Sequence, residues 1–237
     1  MRRENGFSLI EMAVALFVIA LVLGSILVPL TTQVEQRQIS DTEKTLAEIR
    51  DALLGFAAAN GYLPCPDKNT GVGGAGTAND GIEDVTAATG VCVATGQGNV
   101  PWVTLGVGSM DVWGNRFRYW ATPAFSQHAP GATFSLSSPG TIKVCATNGC
   151  PTWWTADAVA VIISLGKNGL GAIKAATGNT NPAPTSADEN ENVAGPGQFM
   201  SRTITTADSA AGEFDDIVVW LSRNVLFNRM VAAGKLP

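Results

Sequence analysis

Four cysteines, one histidine and a lone carboxylate inside a long apolar run are the side chains of this 237-residue chain whose placement implies chemistry. The carboxylate is Glu11: between Phe7 and Leu30 no other charged side chain occurs, and Arg2 and Arg3 stand shortly before the run. A bilayer core about 30 Å thick is crossed by about 20 apolar residues in a helix, so residues 7–30 are long enough to span it. A carboxylate near the bilayer centre costs about 2.5–3.5 kcal/mol, less towards the edge, so Glu11 needs a partner. By the positive-inside rule Arg2 and Arg3 hold the N-terminus in the cytoplasm, and the chain beyond residue 30 lies on the other side. A secretory signal peptide would show a shorter apolar core followed by a small-residue cleavage site, and here the apolar stretch runs straight into a helical pattern. A lipoprotein signal needs a cysteine where the apolar segment ends, and the first cysteine is Cys65.

The cysteines Cys65, Cys92, Cys145 and Cys150 fall on the oxidising side of that topology and read as two disulfides. Three pairings are open. The local one, Cys65 with Cys92 and Cys145 with Cys150, is favoured because each bond closes a loop rich in Gly, Asn or Pro. Four thiolates could also cage zinc, but no Cys-x-x-Cys knuckle occurs, and the only histidine, His128, sits in a loop pattern.

The residues Gly6-Phe7-Ser8-Leu9-Ile10-Glu11 resemble the cleavage and methylation signature of type IV pilins and type II secretion pseudopilins. The resemblance implies that a prepilin peptidase cuts after Gly6, that the new amine of Phe7 is methylated, and that Glu11 of an incoming subunit meets the Phe7 amine of its neighbour in a filament. Cleavage would then create the partner charge that makes the buried carboxylate tolerable.

The elements that must position these groups follow from periodicity. Beyond the span, Leu46, Ile49, Leu53, Leu54 and Ala57 recur at helical spacing, with Glu35, Arg37, Asp41, Lys44, Glu48 and Arg50 between them. One helix from Phe7 to about Ala59 is expected, stopped by Asn60-Gly61 and by Pro64 and Pro66. The domain reading is a leader over 1–6, a transmembrane and assembly helix over 7–30, and a periplasmic head over 31–237 that includes the second half of the helix. The fold class is α+β: the long helix laid on a small, mainly antiparallel sheet, with disulfide-pinned loops and a C-terminal helix. In that last helix Val225, Leu226, Met230 and Val231 are expected to form the apolar face, after Ser222 as cap and before Gly234.

Three further segments resemble the major pseudopilin in kind and order. They are Asp111-Val112-Trp113-Gly114-Asn115-Arg116-Phe117-Arg118-Tyr119, a turn leading into a strand; the run Val159 to Leu165 with its turn Gly166-Lys167-Asn168-Gly169; and the closing Phe214-Asp215-Asp216-Ile217. The resemblance implies a calcium loop, with Asp215 and Asp216 as carboxylate ligands and the neighbourhood of Ser164 and Leu165 supplying oxygens. Asn168 stands where the family commonly has Asp. The insert Ala172–Ala211 separates the last two motifs, is poor in large apolar residues, and is expected to be an exposed, partly mobile excursion.

Elsewhere, Asp67, Asn69, Asp80, Glu83 and Asp84 read as solvated turn residues, and Trp153-Trp154 as packing beside a disulfide. A net charge of −5 argues against a broad nucleic-acid surface. No Gly-x-x-x-x-Gly-Lys-Ser/Thr loop and no Gly-x-Ser-x-Gly elbow occurs, and an enzyme is not expected. The expected role is a structural subunit of a type II secretion pseudopilus that supports protein export. The alternative is a minor pilin of a type IV pilus in assembly, adhesion or DNA uptake. Expected partners are prepilin peptidase, other pilin or pseudopilin subunits and the bacterial inner membrane.

Overall fold

The computed structural model describes residues 8–68, 79–86, 90–93, 96–127, 134–195 and 197–236, with only the backbone of residues 23–30. Gly6 and Phe7 lie outside the described residues, as do Asn69 and His128. The chain divides into two units, Met1–Asp41 and Thr42–Pro237.

Helix α1, Leu9–Asn60, begins in the first unit and ends in the second. In the first unit its described side chains are open up to residue 37, including Leu9, Ile10, Leu16, Phe17 and Leu21, and half-buried over 38–41. Among the described residues no helix is long and apolar enough to cross a membrane; the expected span also takes in Phe7 and residues 23–30. In the second unit the helical spacing read from the sequence becomes a buried face: Leu46, Ile49, Leu53 and Ala57 are fully buried, joined by Thr42. Gly61, at φ 93°, stops the helix by donating its N–H to Ala57 O at 2.8 Å, and the chain turns into Pro64.

The head is built on a six-stranded sheet: β1 Gln97–Asn99, β2 Arg118–Ala121, β3 Ile142–Cys145, β4 Trp153–Ser164, β5 Gln198–Met200 and β6 Ile217–Ser222. Short helices are α2, Trp102–Leu105, α3, Ala187–Ala194, and α4, Arg223–Ala232. β4 is the spine. It pairs antiparallel with β2, β3 and β6, while β5 adds to β3 in parallel, so the sheet is mixed. Residues 158–164 are buried on both faces, which is why they read as an unbroken apolar run rather than an alternation.

One face carries Phe117, Tyr119 and Ala121, as the alternation predicts, and Tyr119 donates its hydroxyl to Pro64 O at 3.2 Å just beyond α1. The other face buries Val161, Ile163, Val218, Ile142, Val144 and Phe199, with Trp120, Trp220 and Val193 packed against them. Val193 belongs to α3. The insert is therefore in part a covering layer: Ala172, Ile173, Glu189, Asn192, Phe199 and Met200 within it are buried, while most of residues 174–188 and 201–211 are exposed as expected. Its apolar residues are few but turned inward, and Arg202 ties its far end by an ion pair to Asp188 at 2.6 Å while stacking 4.6 Å over Phe214.

The C-terminal helix also differs in its face. α4 buries Leu226, Phe227 and Met230, whereas Val225 and Val231 are exposed. At 100° per residue the arc centred between 226 and 227 includes 230, and Phe227 stacks at 6.0 Å on Phe125, which the sequence pattern alone does not reveal.

Candidate functional site

At the N-terminus, Ser8 and Glu11 form a reciprocal capping pair. Glu11 Oε2 accepts the Ser8 backbone N–H at 2.9 Å, and Ser8 Oγ accepts the Glu11 N–H at 3.3 Å. The spacing Ser-x-x-Glu is the sequence signature of this cap, and it satisfies two backbone donors that α1 leaves open. Glu11 thus has a partner within its own chain besides the neighbour's amine that the resemblance implies.

The three motifs of the head converge at one corner of the sheet. Asp111, almost fully buried, accepts backbone N–H groups from Trp113 at 3.0 Å and Asn115 at 2.9 Å through Oδ1, and the Ser164 hydroxyl at 2.7 Å through Oδ2. Asn115 in turn donates to Gly166 O at 3.3 Å, so the tryptophan-glycine turn is bolted onto the turn after β4. Gly166 must be glycine: its φ is 62°, and a Cβ there would collide with the carboxylate and backbone of Asp215. Asp215 completes the corner by accepting the Asn168 N–H at 2.7 Å. Of the residues expected at a cation site, the structure therefore brings Asp215 and Asp216 to the end of β4. It directs the Ser164 hydroxyl to Asp111, and the Leu165 carbonyl accepts the Gly169 N–H at 3.1 Å.

A third carboxylate joins the two aspartates. Glu189, 1% exposed, comes from α3, and one oxygen each of Glu189, Asp215 and Asp216 lie within 4.8 Å of one another. Glu189 Oε1 accepts from Asn168 Nδ2 at 3.1 Å and from the Asp215 N–H at 3.2 Å, and Asp216 Oδ2 accepts from Asn192 Nδ2 at 2.8 Å. Glu189 Oε2 and Asp215 Oδ1 are buried without a hydrogen-bond partner. Burial raises the pKa of all three, most strongly for Asp216, where the charges of Glu189 and Asp215 push the same way.

This donor set fits calcium. Metal–oxygen bonds of about 2.4 Å allow ligand oxygens of one ion to stand up to about 4.8 Å apart, the three carboxylate oxygens all lie within that limit, and hard cations take carboxylate oxygens. Glu189, Asp215 and Asp216 would hold the ion, which would neutralise their crowded charge and take up the two unpartnered oxygens. Asn168, in the place of an aspartate, donates to Glu189 and accepts the Leu170 N–H at 3.0 Å, so here it positions the Glu189 carboxylate. Glu189 carried no signal in the sequence, because only the folding of the insert brings it to the closing aspartates.

The disulfides are Cys65–Cys92 and Cys145–Cys150, with Cα atoms 5.4 and 5.1 Å apart. Around the first, the acidic residues read as solvated turns are partly interior: Asp67 and Asp84 are buried. They serve as acceptors for main-chain donors, Asp67 for Gly81 at 2.9 Å and Asp84 for Lys68 at 2.6 Å, while Glu83 takes the Cys65 N–H at 3.0 Å. A loop with little regular structure needs such acceptors for its buried N–H groups. Beside the second disulfide, Trp153 and Trp154 are 60% and 62% exposed, so they are surface and not packing; Trp154 donates to Ser201 O at 2.8 Å.

Residues 1–27 match the family described as the prokaryotic N-terminal methylation motif. No curated protein and no solved structure matches the chain. The motif supports a type IV pilin-like or pseudopilin family member, processed by prepilin peptidase in a pilin-like assembly context, and it suggests a membrane-anchored N-terminus.

Proposed function

We propose that this pilin-like chain is a structural subunit of a type II secretion pseudopilus, held in the inner membrane by its N-terminal helix with the head in the periplasm until it joins a filament. The observation that carries the choice of machine is the corner where Asp111, Ser164, Asn115, Gly166 and Asp215 meet, because the segments that form it are those resembling the major pseudopilin. The open apolar side chains of the first unit suit a helix whose surface is covered by lipid before assembly and by neighbouring subunits after it. Two disulfides suit an oxidising compartment. The role is mechanical and not catalytic, with calcium as a structural ion of the head.

Two measurements test it. The intact mass of the membrane-extracted protein should lack residues 1–6 and carry one methyl group; a full-length or later-cut N-terminus refutes processing. Deleting the protein should block release of exoproteins, and untouched secretion refutes the pseudopilus assignment. The exposed pair Trp153 and Trp154 favours a second reading, a minor pilin whose head contacts a surface or a partner. Loss of surface pili, twitching or transformation with secretion intact would select that reading.

A further inference from the structure

Within the insert, α3 carries its own set of polar contacts to the rest of the head, beside the pairing of β5 with β3 and the main-chain bonds of residues 173, 175 and 205. Glu189 and Asn192, three residues apart, share the buried side of this helix. Asn192 clamps β5 in both directions, donating to Met200 O at 3.0 Å and accepting the Met200 N–H at 2.7 Å, and it also reaches Asp216. At the helix end, the Val193 carbonyl accepts from Gln97 Nε2 at 2.9 Å and Arg118 Nη2 at 3.2 Å. At the helix start, Asp188 accepts the Asn148 N–H at 3.2 Å, linking α3 to the loop of the second disulfide. A segment of eight residues thus connects β1, β2, β5 and the Cys145–Cys150 loop.

The weak point of this arrangement is electrostatic. Two carboxylates, Asp215 and Asp216, belong to the segment leading into β6, and the third, Glu189, belongs to the insert. Three carboxylates within one ion's reach repel one another, and Glu189 Oε2 and Asp215 Oδ1 face burial without a donor. Left ionised, these crowded carboxylates work against the docking of α3. A divalent cation turns the same groups into a tether, because the ion binds the insert's carboxylate and the frame's carboxylates at once.

We propose that Glu189 is the latch of α3: a divalent cation shared with Asp215 and Asp216 holds this helix of the insert against the sheet, so ion occupancy sets whether it stays docked. The inference rests on the cation reading of the three carboxylates, and it goes beyond that reading in assigning the ion a mechanical task through a residue of the insert. With α3 released, Val193 leaves the apolar face that carries Val161, Ile163 and Phe199, and that face opens to solvent.

The test uses the full chain in detergent, with calcium binding followed by titration calorimetry and amide hydrogen exchange followed by peptide mass. Calcium at about 100 times its dissociation constant should slow exchange across residues 187–194 by up to about 100-fold, because local opening then requires release of the ion. Glu189→Gln should weaken calcium binding at least about tenfold and abolish the calcium-dependent slowing. Glu191→Gln, which removes the same charge from the same helix, should leave both unchanged. If the wild type binds calcium but exchange in 187–194 does not respond, or if Glu189→Gln binds calcium and responds like the wild type, the latch is overturned and the cation site at Asp215 and Asp216 stands. If the wild type binds neither calcium nor magnesium, the cation reading and the latch fail together. The wild-type exchange comparison needs no variant, so a variant that does not fold leaves the test intact.

Discussion

Asp67→Asn should stabilise the protein at neutral pH and do little in acid. Asp67 follows Cys65-Pro66 and pairs with Asn99 across an isolated bridge. It is fully buried; Oδ2 accepts the Gly81 N–H at 2.9 Å, whereas Oδ1 has no hydrogen-bond partner. Burial is the main cause that lifts its pKa from 3.8 to about 6, with the charges of Asp84 and Asp80 adding to it. The raised value means that the folded state holds the proton more tightly than the unfolded chain. Stability from this group is therefore fully present below about pH 4, falls as pH rises to about 6, and stays lower above it. A rise of that size corresponds to roughly 3 kcal/mol as an upper bound. Arg116, whose guanidinium lies 3.8 Å over the Trp102 ring and feels the Asp67 charge, loses a counter-charge in the variant, which brings the expected gain to about 1–2 kcal/mol. The new amide keeps an acceptor oxygen for the Gly81 N–H and places an N–H donor near Asp80 and Asp84. Urea unfolding at pH 8 and at pH 4 reads the effect: a gain of about 1–2 kcal/mol at pH 8, and within about 0.5 kcal/mol of the wild type at pH 4. A loss of similar size at both pH values would refute the reasoning, since it would mean that Asp67 is ionised and well paired in the fold.

Asp111→Ala should cost about 3 kcal/mol or more in the same unfolding assay, because it strands the Ser164 hydroxyl and two backbone N–H groups inside the corner; a loss below about 1 kcal/mol would contradict the bolt. Trp153→Ala should change stability by less than about 1 kcal/mol, as the side chain is mostly in solvent, and a larger loss would return it to the core. Glu11→Gln should leave cleavage after Gly6 intact, because an amide oxygen can still accept the Ser8 N–H, yet block incorporation into filaments; sheared-filament fractions containing the variant at the normal level would refute the charge-pairing role.

The parts of the fold legible in the sequence were those set by local rules. The buried face of α1 follows from Leu46, Ile49, Leu53 and Ala57 at helical spacing, and its stop from Gly61, because both depend only on residues within a turn or two. β2 alternates, and residues 158–163 of β4 run apolar without a break, which is where β4 is buried on both faces. Local loop closure likewise pointed to the observed disulfide pairs. The insert misled because its inward residues are few and irregularly spaced, and composition averages over them. Asp67 and Asp84 misled for the opposite reason: acidic residues in a Gly-rich loop look solvated, and only the surrounding main chain shows that they replace water as acceptors.

The candidate site divides along the same line. The chain by itself determined the N-terminal signature, the charge in the apolar run, and the two adjacent aspartates that end the chain's last loop before β6. It also carried the Ser8-x-x-Glu11 cap, whose geometry is fixed within one helical turn. Only the tertiary structure decided that Glu189, 26 residues before Asp215 in sequence, stands against it in space. A group of carboxylates drawn from a helix of the insert and from the segment before β6 has no sequence spacing to betray it, because the distance between its members is set by how the insert packs on the sheet.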